Sequence, residues 1–333
     1  MKDPITTQEM LKDVEPRPRS TIVWATAAAL VLLPFVISTP LATEILVWSI
    51  FALGFNLLLG YTGVLSFGHA AYFGLGAYTA GLTLRYWHVG LWPSLAMGIA
   101  APMLLACFIG LVAIRRRGVY FAMISLAFGQ MLYFLALSPL KDITRGEDGL
   151  THIPSVNLFF IALEKPRNLY YFILAITVLM LYMTWRILQS PFGRLLQAFR
   201  ENEERAKACG YNTTLVKFFS LVLSACYGGL AGSLNTLYLG YVPLTTLFWL
   251  TSGTIVMMTV LGGRGTFLGP LVGVAVFLFL QNTISLFTPR WELFVGAIFV
   301  MIILLFPGGI MGTIQEKYLD RKMIRLRRKA ATG

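Results

Sequence analysis

Charge is scarce in this sequence. Only 13% of its 333 residues are Asp, Glu, Lys or Arg, while 57% are hydrophobic, and the mean hydropathy is +0.72. Soluble domains carry about a quarter charged residues, because a surface that faces water on every side must be polar. So little charge excludes that class and leaves an integral membrane protein. Acidic residues are the scarcer sign, 15 against 27 Lys and Arg. None of them falls in the middle of an apolar run; Glu44 and Glu292 lie near run ends. Proton-driven carriers usually keep a buried carboxylate as a relay, since ionisable groups in lipid are costly and retained for function. The shortage argues against proton coupling, whereas sodium coupling through carbonyls and hydroxyls stays open.

Cysteine and histidine are few as well. Cys107, Cys209 and Cys226 have no paired spacing, and His69, His88 and His152 are dispersed, so neither a disulfide framework nor a metal site is expected. The chain has no G-x-x-x-x-G-K-[ST] phosphate loop, no nucleophile elbow and no H-E-x-x-H. No catalytic residue is therefore assigned, and an ATP-using process would need another subunit to bind the nucleotide. Residues 1–20, "MKDPITTQEMLKDVEPRPRS", lack the short apolar core and small-residue cleavage site of a signal peptide. The first apolar run is expected to stay in place as an anchor.

What the sequence does have is length in its apolar runs. About 20 such residues cross a hydrocarbon core as a helix, and ten runs qualify, near 21–38, 43–60, 67–84, 92–113, 118–138, 169–188, 214–238, 246–262, 266–286 and 291–311. The expected fold is all-α and polytopic, with about ten transmembrane helices. Basic residues set the orientation. With the N-terminus in the cytoplasm, the outside segments hold only Arg85, Lys141, Arg145, Lys165, Arg167 and Arg290 of the 27 Lys and Arg residues. The rest, including the Arg115-Arg116-Arg117 triplet and the tail "KYLDRKMIRLRRKA", fall inside. That asymmetry accounts for the net charge of +12 without nucleic acid. The expected organisation is a cytoplasmic tail (1–20), a transmembrane domain (21–311) and a basic cytoplasmic tail (312–333). Within the domain, 139–168 forms a periplasmic loop and 189–213 a cytoplasmic one. Ten spans divide into two halves of five, and an odd half must be inverted relative to its partner, as in many transporters.

Glycine is clustered within these runs. "LGFNLLLGYTGVLSFGHAAYFGLGAYTAG" and "VLGGRGTFLGPLVG" hold most of the dense stretches. Small residues let helices approach closely, and glycine also permits broken helices where the freed backbone faces protein or a water-filled cavity. Tight packing is the plainer explanation for any single glycine. A pathway gains weight where polar groups sit among them, as Asn56, Ser66, His69 and Tyr72 do beside Gly63 and Gly68. Ser125, Gln130, Asn235, and Gln281 with Asn282 are further candidates for lining a route; each could equally hydrogen-bond a neighbouring helix.

One segment breaks the oily pattern: "PFGRLLQAFRENEERAKACGYN", from Pro191 to Asn212. Pro191 marks a stop and Gly210 a helix end. Arg200–Glu204, Glu201–Arg205 and Glu203–Lys207 stand four apart, which on one helix would pair them on one face. Phe192, Leu195, Leu196, Phe199 and Ala206 gather opposite. A short amphipathic helix on the cytoplasmic side is expected, serving as a connector, lying on lipid, or docking into a partner's groove. Its nearly balanced charge fits the partner better than the lipid surface.

"SPFGRLLQAFRENEERAKACGYN" and "GYTGVLSFGHAAYFGLGAY" together resemble the permease subunits of branched-chain amino acid ABC importers, in particular the M-type subunit of the pair. The resemblance extends to "RGVYFAMISLAFGQM", "TRGEDGLTHIP", "VLGGRGTFLGPLVG" and "LFPGGIMG". It implies that Gly193, Arg194, Arg200, Glu201, Asn202, Glu203 and Gly210 couple the chain to ATPase subunits. It also implies that Gly60, Gly63, Ser66, Gly68, His69 and Gly76 lie near the translocation path. Arg145 departs from the family pattern, where a second glycine is common. The implied partners are a second permease subunit, two cytoplasmic ATPase subunits that use ATP and Mg, and a periplasmic substrate-binding protein, in the bacterial inner membrane. This chain itself needs no cofactor. The implied cargo is a branched-chain or related amino acid; the same family also handles urea, short amides and other small solutes. An ion-coupled secondary transporter is the alternative class.

Overall fold

The computed structural model describes residues 20–116, 118–154, 156–158 and 161–317. The expected N-terminal tail lies almost wholly outside these residues, and the basic C-terminal tail largely so. Each of the ten apolar runs contains a helix. These are α1 (Ser20–Val36), α2 (Thr39–Thr62), α3 (His69–Tyr86), α4 (Leu91–Ala113), α5 (Val119–Leu137), α7 (Pro166–Gln189), α10 (Thr213–Leu239), α11 (Trp249–Gly262), α12 (Gly269–Ser285) and α13 (Trp291–Leu305). Three shorter helices lie between them: α6 (Lys141–Thr144), α8 (Pro191–Glu201) and α9 (Glu203–Ala208). Proline opens α2, α7, α8 and α12 at the first or second position, where its missing N–H costs no hydrogen bond.

The expectation of about ten spanning helices is revised. Thirteen α-helices are present among the described residues. Six stretches are long and apolar enough to cross a bilayer: α2, α4, α5, α7, α10 and Trp291–Lys317, which joins α13 to a further helical segment across a turn at 306–308. α1, α11 and α12 are apolar but shorter. The 14 residues of α11 extend about 21 Å, less than a hydrocarbon core of about 30 Å. α3 has 18 residues, but its glycines, its tyrosines and Arg85 dilute its hydropathy. α11 is short because residues 244–247 form a 3-10 turn before it and the chain leaves helical geometry at 263–268 after it.

α2 and α10 form the centre. α10 packs along α2, α3 and α4, and α2 also meets α7, α11 and α12. In the most apolar window of α2, 89% of residues are buried, against 28% for α5, so α2 is enclosed by protein while α5 faces outward. Contact between α3, α4 and α10 depends on small residues. A Cβ on Gly76 would strike the backbone of Gly229, and one on Gly98 would strike Ser233. Hydroxyls seal the same seam: Ser233 Oγ donates to the Gly76 carbonyl at 3.2 Å and Thr236 Oγ1 to the Ala77 carbonyl at 3.0 Å. Both are bonds that lipid could not replace.

The 139–168 segment contains α6, a 3-10 turn (Gly146–Asp148) and a two-residue strand pair, Asn157–Leu158 with Ile161–Ala162. That pair and an isolated bridge between Leu150 and Val242 are the β-type pairings among the described residues. Leu150 and Val242 exchange backbone hydrogen bonds of 2.9 and 2.8 Å, pinning the segment to the connection after α10. Arg145 itself adopts the left-handed conformation, φ 67°, which explains why glycine suits this position.

Candidate functional site

Two breaks in helical structure organise the site. α2 ends at Thr62 and α3 begins at His69; α11 ends at Gly262 and α12 begins at Gly269. Both breaks carry Leu-Gly-x-x-Gly, as Leu59-Gly60-Tyr61-Thr62-Gly63 and Leu261-Gly262-Gly263-Arg264-Gly265. The last glycine of each is left-handed, φ 73° and 77°, a conformation that costs other residues about 1–2 kcal/mol. This short repeat is legible in the sequence, yet motif reading passed over it because the residues around it differ.

Asn56 ties the breaks together. Its Oδ1 accepts from the Gly265 N–H at 2.9 Å and its Nδ2 donates to the Thr266 carbonyl at 3.0 Å. The 63–68 break is fastened in turn by hydroxyls from other helices. Ser125 Oγ accepts from the Phe67 N–H at 3.1 Å, and Ser252 Oγ accepts from the Ala70 N–H at 2.7 Å. Ser66 Oγ caps the Gly68 N–H locally at 3.3 Å. Each bond satisfies a backbone group that the break would otherwise leave orphaned in an apolar interior.

His69 is fully buried and sits 2.8 Å through Nε2 from Ser224 Oγ, which donates to the Gly54 carbonyl at 2.6 Å. Because the serine hydrogen is committed to Gly54, the Nε2 position carries the imidazole hydrogen. Nδ1 has no hydrogen-bond partner, and the rings of Phe55 and Tyr72 enclose the imidazole edge-on at 4.8 and 5.3 Å. His69 therefore joins α2, α3 and α10. Asn56, Gly63, Ser66, Gly68, His69, Tyr72 and Ser125 gather around the two breaks. Gln130, Asn235 and Gln281 share no hydrogen bond with that group among the described residues, and Gln130 Nε2 is buried without a partner.

The charged segment lies beneath. Ser190 caps α8, accepting from the Gly193 N–H at 3.3 Å. Leu196 and Phe199 turn inward against α2, α7 and α10. Gly193 passes so close to Ile187 and Leu188 that no Cβ would fit. The expected single helix through Lys207 is corrected: Asn202 is extended, φ −159°, and its Oδ1 accepts from the Arg205 N–H at 2.9 Å to start α9. The break removes the helical register that would have paired Arg200 with Glu204 and Glu201 with Arg205. Glu203 instead pairs with Lys217 on α10 at 2.7 Å. At the end of α8, the Arg200 guanidinium fills the space that a Cβ on Gly265 would occupy, and its Cγ lies 3.8 Å from where a Cβ on Gly63 would sit. Partial burial, and then the nearby Arg264 cation, lower its pKa, opposed by Tyr61 and Glu201. Arg200 thus touches both breaks at once.

The chain is thus a predominantly helical membrane protein with paired glycine breaks over a short charged helix. The family described as "Branched-chain amino acid transport system / permease component" matches residues 37–305, and the chain belongs to it as a LivM-like permease of the ABC transporter class. The high-affinity branched-chain amino acid transport system permease protein LivM of Escherichia coli K12 is 26% identical over 90% of this chain and 75% of its own length. Its Salmonella typhimurium counterpart is 26% identical over 84% and 71%. An autoinducer 2 import system permease protein LsrC from Photorhabdus laumondii is 27% identical over 44% of this chain and 46% of its own. No solved structure matches the chain.

The residues that sequence reasoning missed are the partners: Ser224, Ser252, Thr266 and Lys217. Ser224, Ser252 and Lys217 are ordinary polar residues on other helices, while Thr266 lies in the second break and takes part through its backbone carbonyl; only tertiary structure brings each to its partner.

Proposed function

We propose that this chain is one of two membrane subunits of an ATP-driven importer for branched-chain or related amino acids. In this reading it lies in the bacterial inner membrane with both termini cytoplasmic. A periplasmic binding protein delivers the cargo, and two cytoplasmic ATPase subunits supply the ATP and Mg chemistry. The cargo follows the relatives matched over most of the chain, whose names specify branched-chain amino acids, rather than the autoinducer 2 permeases, which match less than half of it.

One observation carries the coupling assignment: Arg200, at the end of α8, is wedged against Gly265 and beside Gly63. A displacement of α8 must move that guanidinium and, with it, the turns that end α2 and α11. Gly193 and Asn202 give α8 defined ends, and Gly210 allows the turn after α9. Arg194 and Glu201 are the exposed charged contacts of α8 for the ATPase, and Glu203 serves the coupling segment by fixing α9 to Lys217. The path runs beside the two breaks, near Asn56, Gly63, Ser66, Gly68, His69, Tyr72 and Ser125, with Gln130, Asn235 and Gln281 further along it. Alternating access requires contacts that differ between two states, and glycine turns held by a few hydroxyls can rearrange without dragging bulky side chains.

The test is ATP-dependent uptake in vesicles containing the chain with its co-expressed permease and ATPase partners. Arg200→Glu combined with Glu201→Arg should leave the membrane subunits assembled while ATPase subunits dissociate or hydrolyse without transport. Retained partners and full uptake in that variant would remove the assignment.

A further inference from the structure

Beside α9 lies a cavity of about 390 Å³, lined by Arg115, Lys207, Lys217, Glu203, Tyr211 and Thr214 among others. It sits where the end of α4, the start of α10 and α9 converge. Three cations face one carboxylate, and that carboxylate is already engaged with the buried Lys217. The cavity therefore has a net positive interior.

A second observation bears on what fills it. On α4, Leu104, Phe108 and Leu111 are exposed and, at spacings of four, three and four residues, form one helical stripe that ends at Arg115. On α10, Leu215 and Phe219 are likewise exposed, four residues apart. The two helices pack together here, with Gly110 admitting Phe218. The stripe from Leu104 to Arg115 runs about 16 Å, close to one leaflet of a hydrocarbon core of about 30 Å. Cationic pockets at the ends of transmembrane helices take anionic lipid headgroups, and an apolar strip of leaflet length running directly to the pocket supplies the path for acyl chains. A soluble anion would need the pocket but not the strip.

We propose that this cavity is a specific site for an anionic diacyl phospholipid, its phosphodiester held by Arg115, Lys207 and Lys217 and its chains lying along α4 and α10. Tyr211, half exposed at the rim, is suited to the interface between headgroup and chain. The site belongs to the chain alone and stands whether or not α8 engages an ATPase.

The experiment uses the purified full chain in phosphatidylcholine nanodiscs, titrated with phosphatidylglycerol, with bound lipid read by native mass spectrometry. Each cation beside an anionic lipid is worth about a factor of five, so Arg115→Gln with Lys207→Gln should weaken phosphatidylglycerol binding roughly thirtyfold. Both side chains are exposed, so the fold should survive. Thr214→Asp provides a second arm. A carboxylate in the first turn of α10 is favourable to the helix yet repels the lipid phosphate, and binding should fall. Arg290→Gln, remote from the pocket, should change nothing. Equal phosphatidylglycerol binding in all variants would overturn the site. Displacement of the lipid by glycerol phosphate at equal concentration would reassign it to a free anion. Unchanged lipid binding with loss of ATPase subunits from the assembled complex would assign the pocket to a protein partner instead.

Discussion

The side-chain amide of Asn56 holds the backbone of Gly265, 209 residues away, with a 2.9 Å hydrogen bond, and completes the grip on the next residue, Thr266. An amide is suited to this clamp because it offers one acceptor and one donor in a plane. A carboxylate could accept from Gly265 but not donate to Thr266.

Asn56→Leu should therefore be costly. It removes both partners from backbone groups in a buried region, at about 1–3 kcal/mol for each unsatisfied group. Thermal unfolding in detergent should show a marked drop in midpoint, with Asn56→Asp falling between the two. A midpoint equal to wild type in Asn56→Leu would mean that the 263–268 turn does not depend on the clamp.

Gly63→Ala and Gly265→Ala should differ although both glycines are left-handed. At Gly63 only the backbone penalty of about 1–2 kcal/mol applies, since the Arg200 Cγ is 3.8 Å away. At Gly265 the new methyl also collides with the Arg200 guanidinium. Adding Arg200→Ala should recover part of the stability lost in Gly265→Ala and none of that lost in Gly63→Ala, which a double-mutant cycle measures. Strict additivity at Gly265 would show that Arg200 and the turn are independent.

Arg145 and Gly149 make opposite predictions for neighbouring positions. Arg145→Gly relieves an exposed residue at φ 67° and should leave stability unchanged or raise it by up to about 1 kcal/mol. Gly149→Ala places a methyl against the Val242 carbonyl at φ 70° and should disrupt the Leu150–Val242 bridge. Hydrogen exchange at the Leu150 and Val242 amides reports this directly, protected in the first variant and fast in the second.

Glu203→Gln should destabilise by about 1–3 kcal/mol, because it strands the largely buried Lys217 without its carboxylate. Replacing both, as Glu203→Gln with Lys217→Met, should cost less than the single change. An unfolding series in denaturant separates the two outcomes; equal losses would mean that the pair contributes nothing beyond its packing.

Much of this architecture is legible in the sequence because lipid imposes a simple rule. Apolar runs must be helical, and each of the ten contains a helix. The amphipathic character of α8 is equally plain from Leu196 and Phe199. The break at Asn202 is also written there, since Asn followed by Glu203 and Glu204 is a helix-start signal, but the four-residue charge spacing suggests one continuous helix. His69 and Asn56 stand out as polar residues among glycines. Their roles do not, because Ser224 is 155 residues from His69 and nothing local marks it as the partner. α11 and α12 are misjudged at their starts, because residues up to Leu247 form a 3-10 turn and Thr266, Phe267 and Leu268 belong to the break, although all read as part of apolar runs.

The 27-residue α10 is about 40 Å long and is fastened at both ends. Near its last turn the strand-like exchange at Val242 secures it to the segment around Leu150, and close to its start Lys217 is ionically tethered to α9. Such a rod cannot slide or tilt at one extremity without straining the fastening at the other. The two faces of the molecule are thereby mechanically continuous through a single stiff element that crosses its full thickness.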